Sequence, residues 1–571
     1  MKTRYLIPLI LLAAACSPKA GSLTLLTTDD VHGAWFDSTY VGDRTRPSLM
    51  AVNWYVDSIR KADGAKNVLL IDAGDCLQGD NASYYYNYVD TTSEHLFSRL
   101  VSYMKYDAIS VGNHDVETGH AVYDRVASEL RRHGIPFMAG NALRNDDGRP
   151  YFPLYKTFRR GGMKVLVLGY TNPNMAAWLD ESVWSGMTFR DLIPLVQEDV
   201  DRVKAKVKPD VTIICIHSGT GAGDGSMLEN QALDLYNSLV GVDFVVCGHD
   251  HSPVTFHNDS IGLINTGRRA AYLGYGKLDL APDGSKTIGT GLIRIDKAKT
   301  DTVMRAAFRE DYEAVKAFTR QKVGMLSVDM FTRDSYAGMC PYINLVHQVQ
   351  LKGSGAQISF AAPLTYNGAV RAGILVFNDM FTIYPYENQL YKLELSGREI
   401  KDYLEYSYNL WLAEPGGDHI LRIVPGDSFR DSQERWSFVE RSYNFDSAAG
   451  LNYTVDVTKP FGERVTILSL SGGGPFDPDA KYSVAMTSYR ASGGGDILIK
   501  GAGIPKDKIG ERIVGRYPEI RELVYRFVVE NAILDEMNLN DKALLGEWKF
   551  VPGDECADRL DDDLALLFGK N

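Results

Sequence analysis

From residue 22 to about residue 300 the chain repeats one pattern: a short apolar, β-branched run, a loop rich in Asp, His, Asn and Gly, and then a stretch with helical spacing. The runs cover residues 23–26, 68–71, 108–111, 165–168, 211–216 and 244–247. Strands alternating with helices in this way predict α/β architecture. In open α/β sheets ligands gather at the carboxyl ends of strands, so the polar loops that follow the runs are where chemistry is expected.

The pattern changes at residues 296–324, which hold no Gly or Pro before the last position and mix charges with Val303, Met304, Phe308, Tyr312, Val315 and Phe318. This predicts an amphipathic connecting helix. Fresh apolar runs follow from Met325 to about Asn531, with Gly-rich turns at 471–474 and 492–495 and a helical pattern at 397–408. They predict a second domain. No internal repeat or low-complexity segment interrupts either half, and Asp561 to Asp563 read as solvated surface.

Composition agrees with two globular domains. The chain has 571 residues, of which 45% are hydrophobic and 23% charged, which excludes disorder, collagen and coiled coil. Its 61 basic and 73 acidic side chains leave a formal charge of −12. With no cluster of Lys and Arg, a nucleic-acid polymer is excluded as partner, whereas a small anion remains open where a metal or a local pocket overrides the field. Residues 1–15 have a basic start (Lys2, Arg4), an apolar run and a small-residue end, and predict a secretory signal peptide. The ending Ala13-Ala14-Ala15-Cys16 resembles a bacterial lipobox, which makes Cys16 the expected lipidated first residue of the mature protein. The other five cysteines (Cys76, Cys215, Cys247, Cys340, Cys556) are scattered, so buried thiols are expected rather than disulfides or a thiolate zinc site.

Five of the early runs end in metal-competent clusters: Asp29-Asp30-Val31-His32, Gly74-Asp75, Gly112-Asn113-His114-Asp115, His217-Ser218-Gly219 and Gly248-His249-Asp250-His251. Imidazole and carboxylate together suit borderline divalent ions such as zinc, manganese, iron or cobalt. Two such ions close together clamp the attacking and leaving oxygens of a phosphoryl displacement. The pair needs a bridging carboxylate, and Asp75, just after a glycine at a strand end, is the natural bridge.

In this order the motifs resemble those of the calcineurin-like metallophosphoesterases. The resemblance implies an N-terminal four-layer α/β/β/α sandwich in which Asp30, His32, Asp75 and His251 hold one metal and Asp75, Asn113, His217 and His249 the other. It leaves His114 as a non-ligand, placed to protonate the leaving oxygen or to stabilise phosphate charge. Glu117 and Asp115 then compete as the carboxylate that orients it.

The second half sharpens the likeness. Asn367-Gly368, Tyr384-Pro385-Tyr386-Glu387-Asn388, Leu395-Ser396-Gly397-Arg398-Glu399 and the 489–496 stretch Tyr-Arg-Ala-Ser-Gly-Gly-Gly-Asp follow the order of the 5′-nucleotidase family. That resemblance implies a C-terminal α/β domain whose Tyr386 and Tyr489 sandwich a nucleobase, with Asn388, Asp496 and Asn367 nearby. Ser442-Tyr443-Asn444-Phe445-Asp446, the Tyr489 run and Trp548-Lys549-Phe550-Val551-Pro552 are similar to the 2′,3′-cyclic-nucleotide 2′-phosphodiesterase/3′-nucleotidase branch. Two departures bear on substrate choice: Asp29 stands where Asn or Thr is more usual, and Glu387 separates the clamp Tyr from its Asn.

The expected organisation is a signal peptide (1–15), an anchored linker (16–21), a metallophosphoesterase domain (22–300), a linker helix (301–324), a nucleotide-binding domain (325–535) and a C-terminal tail (536–571). The expected activity is hydrolysis of 2′,3′-cyclic nucleotides and 3′-nucleotides by water activated between two divalent ions. Alternatives are 5′-nucleotidase or nucleotide-sugar hydrolase activity and, outside enzymes, a nucleotide-binding surface protein. The protein is expected to be a monomer held at the bacterial envelope, periplasmic or at the cell surface, touching the membrane through its lipid alone.

Overall fold

The computed structural model describes residues 20–426 and 436–569. The expected signal peptide and Cys16 lie outside the described residues, as does most of the anchored linker.

The first domain is built on two six-stranded sheets. In one, strand Gly21–Thr28 runs parallel to Val68–Asp72, which runs parallel to Ala108–Ser110 and then Phe137–Met138; Tyr272–Leu280 and Lys286–Arg294 close the other edge antiparallel. In the other, Met163–Tyr170, Val211–Ile216, Phe244–Cys247 and Gly262–Asn265 are parallel, flanked by antiparallel Tyr155–Arg160 and Val254–His257. Side chains alternate faces along a strand, and here both faces are apolar. Leu69, Ile71, Val165 and Val167 meet between the sheets. Leu70 turns outward to the helices on one side, and Leu166 and Leu168 to those on the other. Parallel strands covered on both faces produce the continuous apolar runs of the sequence, and the result is a four-layer α/β/β/α sandwich.

The connecting segment differs from the single helix expected. It forms two helices, Thr302–Ala307 and Arg309–Thr319, broken at Phe308, whose backbone leaves helical geometry (φ −109°, ψ 21°). The break lets Met304, Phe308 and Val315 all pack into the first domain's core, and Asp301 caps the first helix through Val303 N (2.9 Å) and Met304 N (3.0 Å). Residues 322–324, expected in the linker, belong to strand Lys322–Leu326, which pairs with Gly373–Val376 and Ile533–Leu534 of the second domain.

The second domain centres on a five-stranded mixed sheet, ordered Ser447–Ala449, Ile358–Ala361, Lys481–Thr487, Gln389–Ser396, Ile513–Glu519. Ser396 ends a strand and starts helix Gly397–Trp411 with a capping box: Glu399 N donates to Ser396 Oγ (3.2 Å) and Ser396 N to Glu399 Oε2 (2.7 Å). The expected C-terminal tail is instead part of this domain. Strand Trp548–Val551 runs parallel to Leu451–Asp456, and helix Gly553–Phe568 buries Cys556, Leu560 and Leu567 in the core. Asp563, read as solvated, is 1% exposed. Its carboxylate accepts the N–H groups of Ile420 and Leu421 (both 2.8 Å) and pairs with His419 (2.6 Å). The five cysteines after Cys16 are buried, and none forms a disulfide among the described residues. No helix among the described residues is long and apolar enough to cross a membrane.

Candidate metal centre

Parallel strands end side by side, so the loops after them converge. The turns following Gly21–Thr28, Val68–Asp72, Ala108–Ser110, Val211–Ile216 and Phe244–Cys247 bring Asp30, His32, Asp75, Asn113, His217, His249 and His251 together. Asp30, His32, Asp75, His249 and His251 all have left-handed backbones (φ between 46° and 75°), a conformation costly for non-glycine residues and concentrated at functional sites. The close approach needs glycine beside it. A Cβ on Gly112 would lie 2.1 Å from Asp75 Oδ1, and one on Gly248 2.4 Å from Asp30 Oδ2.

Two donor sets result. Asp30, His32 and His251 form one, with His32 Nε2 and His251 Nε2 2.9 Å apart and 3.6 and 3.4 Å from Asp30 Oδ1. Asp75, His217 and His249 form the other, with His217 Nε2 3.1 Å from Asp75 Oδ2. Asn113 Oδ1 joins the second set, 3.0 Å from His217 Nε2 and 2.9 Å from His249 Nδ1. Asp75 also reaches the first set, its Oδ2 4.0 Å from His32 Nε2.

The chemistry of these donors fits divalent cations. His32 Nδ1–H donates to Gln78 O (3.2 Å) and His217 Nδ1–H to Ala73 O (2.9 Å), which leaves each Nε2 as a lone pair turned toward oxygen and nitrogen acceptors. Asp30 Oδ1 is buried with no hydrogen-bond partner. Acceptors facing acceptors in a buried site need positive charge between them. Without a cation a proton supplies it: burial alone would lower His217, but the Asp75 carboxylate reverses this and raises it to about 10.

His114 stands beside this group and outside both donor sets. Its backbone N–H donates to Asp75 Oδ1 (2.8 Å), and its Nδ1 lies 2.6 Å from Glu117 Oε2. Burial would lower the imidazole, but the Asp75 and Glu117 carboxylates outweigh it and raise it to about 9. Of the two carboxylates expected to compete for His114, only Glu117 meets the ring. Asp115 instead accepts backbone N–H groups from Asp75, Cys76, Leu77 and Gly112 (2.8–3.0 Å), so it holds the two ligand loops together. Asp29 is similarly structural: its Oδ2 accepts Thr266 N (2.7 Å) and ties the first strand to the turn after Gly262–Asn265.

In the second domain, antiparallel pairing of Leu390 with Thr487 puts Tyr386, before one strand, and Tyr489, after the other, at the same end of the sheet. Gln389 N–H donates to Ser488 Oγ (3.1 Å), linking the two segments. Tyr489 lies over Gly494, where a Cβ would come within 2.5 Å of the ring. Asn388 donates to Tyr384 Oη (3.3 Å), and Asp496 pairs with Lys500 (2.8 Å). Asn367 lies in an exposed turn and its side chain forms no hydrogen bond or ion pair among the described residues. Glu387 faces the other domain, accepting from Tyr88 Oη (3.1 Å) and pairing with Arg521 (3.2 Å).

Sequence reasoning assigned no role to four neighbours. Trp178 stacks on His249 (5.1 Å between centroids, 21°), and two residues on Asp180 pairs with Arg516 (3.0 Å) and accepts from Tyr391 of the second domain. Tyr443 meets Tyr489 edge-on (6.4 Å, 85°). Arg490, 3% exposed, fixes that pair by bonding Tyr443 O (2.8 Å), Gly494 O (2.7 Å) and Asp446 (2.9 Å). Tyr443 and Arg490 lie within the family-like motifs, which was their only signal; Trp178 had none.

Residues 30–253 match the calcineurin-like phosphoesterase model and residues 322–500 the 5′-nucleotidase C-terminal domain. The chain is 24% identical to the trifunctional nucleotide phosphoesterase YfkN of Bacillus subtilis over 93% of its own length, and spans 39% of that protein. It is 23% identical to the 2′,3′-cyclic-nucleotide 2′-phosphodiesterase/3′-nucleotidase of Salmonella typhimurium (85% of this chain, 83% of that one) and 25% identical to that of Haemophilus influenzae (93% and 87%). Among solved structures, a Staphylococcus aureus protein assigned as a 5′-nucleotidase, in complex with α-ketoglutarate, superposes with a TM-score of 0.76 at 20% identity, covering 93% of this chain and 99% of that one. A Thermus thermophilus 5′-nucleotidase precursor gives 0.62 at 19% identity, covering 93% and 99%.

Proposed function

We propose, for a chain that joins a calcineurin-like phosphoesterase domain to a 5′-nucleotidase C-terminal domain, that it opens 2′,3′-cyclic nucleotides and releases phosphate from 3′-nucleotides. The carrying observation is the pair of donor sets meeting at Asp75, with His114 beside them and in neither. Asp30, His32, Asp75 and His251 would hold one divalent cation, and Asp75, Asn113, His217 and His249 the other. Bound there, the cations would offset phosphoryl charge and lower the pKa of water.

The protein's own groups do the rest. Glu117 holds His114 Nδ1, so the opposite nitrogen, Nε2, carries the proton given to the leaving oxygen. Tyr386 and Tyr489 hold the base at the edge of the second domain, where stacking tolerates any base. The contacts of Tyr88 with Glu387 and of Asp180 with Arg516 set the distance between base and phosphate sites. The branch preference rests on the 442–446, 489–495 and 548–552 motifs and on the relatives from Salmonella and Haemophilus. A second reading, 5′-nucleotidase activity, is favoured by the match over residues 322–500. The sequence of residues 1–16 supports export and lipid anchoring at the cell envelope, and all candidate ligands come from one chain, as a monomer requires.

The test is phosphate release from 2′,3′-cyclic AMP, 3′-AMP, 5′-AMP and a nucleotide sugar, each with Zn²⁺, Mn²⁺ or Co²⁺. The expected order places the first two ahead by ~10-fold or more in kcat/KM, about 1.4 kcal/mol of transition-state preference. A 5′-AMP rate above both would select the second reading.

A further inference from the structure

A metal-ligating imidazole is usually fixed by a hydrogen bond from the ring nitrogen that faces away from the metal. His32 and His217 have that support, from Gln78 O and Ala73 O. His249 lacks it. Its backbone N–H donates to Asp30 Oδ2 (2.8 Å) and its Nδ1 faces Asn113 Oδ1 (2.9 Å), but its Nε2 has no hydrogen bond or ion pair among the described residues. Two rings meet it instead: His217 stands edge-on (5.4 Å, 78°), and Trp178 lies along its face (5.1 Å, 21°). His217 is itself a candidate ligand, so Trp178 is the ring outside both donor sets that sets the plane of His249.

Trp178 is in turn held from the other domain. It ends the short helix Met175–Trp178, whose Met175 is buried in the first domain's core, and Asp180 follows two residues later. Asp180 Oδ1 accepts Ser182 N (2.9 Å) and so caps the next turn. Its Oδ2 takes two donors from the second domain, Tyr391 Oη and Arg516 Nε (3.0 Å), and the carboxylate is 12% exposed. Tyr391 and Arg516 are register partners on adjacent strands, with the guanidinium 5.3 Å from the tyrosine ring centre. Their sheet reaches the base site as well, because strand Gln389–Ser396, which carries Tyr391, starts just after Tyr386 and Asn388. One turn therefore touches the second domain at Asp180 and a candidate metal ligand at Trp178.

The structure assigns Trp178 as a positioning residue for the second donor set, held against His249 by the second domain's grip on Asp180. This rests on the two-cation reading above and adds to it: the affinity of the Asp75, Asn113, His217 and His249 set depends on contacts made by a domain that supplies no ligand. An imidazole free to turn about its Cβ–Cγ bond spreads Nδ1 over many directions, and few of them meet the other three donors. A flat indole against the ring removes that freedom without adding a charge or a competing donor. Trp178 meets no ring of the first set among the described residues, so the effect is confined to one set.

The experiment measures Zn²⁺ binding to the full chain in metal-buffered solutions, counting ions per chain, with His249→Ala marking the step that belongs to the second set. Trp178→Ala is expected to weaken that step ~10-fold or more, the scale of a lost outer partner of a ligand, and the other step by ~3-fold at most. Trp178→Phe, which keeps a flat ring, should restore most of the affinity. Arg516→Gln touches no candidate ligand. It is expected to weaken the second-set step by ~3-fold, and to add nothing in the Trp178→Ala background, where a support acting through Trp178 is already lost. Wild-type affinity in Trp178→Ala, equal weakening of both steps, no rescue by Trp178→Phe, or an Arg516→Gln effect undiminished by Trp178→Ala would overturn the assignment. A wild-type chain that binds fewer than two ions would refute the two-cation reading instead.

Discussion

His114 and Glu117 face each other across one turn of the short helix Asn113–Glu117, with the imidazole Nδ1 2.6 Å from the carboxylate Oε2. The same His114 donates its backbone N–H to Asp75 Oδ1. One residue thus connects a candidate bridging ligand to a carboxylate outside the metal sets.

The first prediction follows from that pair. His114 is raised to about 9, so its acid form is complete below that value and is lost as pH rises through it. Glu117→Gln removes one of the two carboxylates that raise it, and the alkaline limb of kcat should move to lower pH by about one unit. His114→Ala should keep both metals while kcat falls ~100-fold or more. A kcat–pH profile unmoved in Glu117→Gln would separate Glu117 from catalysis.

Metal uptake should release protons. His217, raised to about 10 beside Asp75, is protonated at neutral pH in the metal-free protein and must lose that proton to ligate. Apparent affinity at the second set should therefore climb by ~10-fold per pH unit below that value, one proton being exchanged. Calorimetric titration with Zn²⁺ in buffers of different ionisation enthalpy counts the protons; a count of zero would show that His217 does not ligate.

The tyrosine clamp separates the work of the two domains. Tyr386→Ala and Tyr489→Ala should each remove ~1 to 3 kcal/mol of stacking, a fall of about 5- to 150-fold in kcat/KM for nucleotides. Hydrolysis of an aryl phosphate, which has no base, should change far less. Equal losses on both substrates would make the rings structural.

A stability prediction concerns Arg490. Replacing it with Met strands Asp446, 3% exposed, and frees the Tyr443 and Tyr489 segments. Unpairing a buried charge costs roughly 3 to 5 kcal/mol, so thermal unfolding should begin markedly lower. An unchanged melting curve would mean that the Arg490–Asp446 pair adds nothing to the fold.

The strand-end loops were legible because each follows a continuous apolar run, and parallel strands leave one place for what comes after them. Asp30, His32, Asp75, Asn113, His217, His249 and His251 could be grouped on that ground. The break at Phe308 was not, since 296–323 carries neither Gly nor Pro to mark it, and what breaks the helix is the shape of the core that Met304, Phe308 and Val315 fill. Asp563 looked solvated because its partners, the backbone of Ile420 and Leu421, lie more than a hundred residues away. Asp115 and Glu117 are indistinguishable as carboxylates near His114 until the helix turn places one on the ring and the other on the backbone.

The most direct measurement is metal content and turnover on 3′-AMP in the same preparation of Asp75→Asn and wild type. The account predicts two divalent ions per wild-type chain, and in the variant a loss of bound metal together with a fall in kcat of ~100-fold or more, because a neutral amide cannot offset two cations. Two ions bound and wild-type turnover in Asp75→Asn would contradict it.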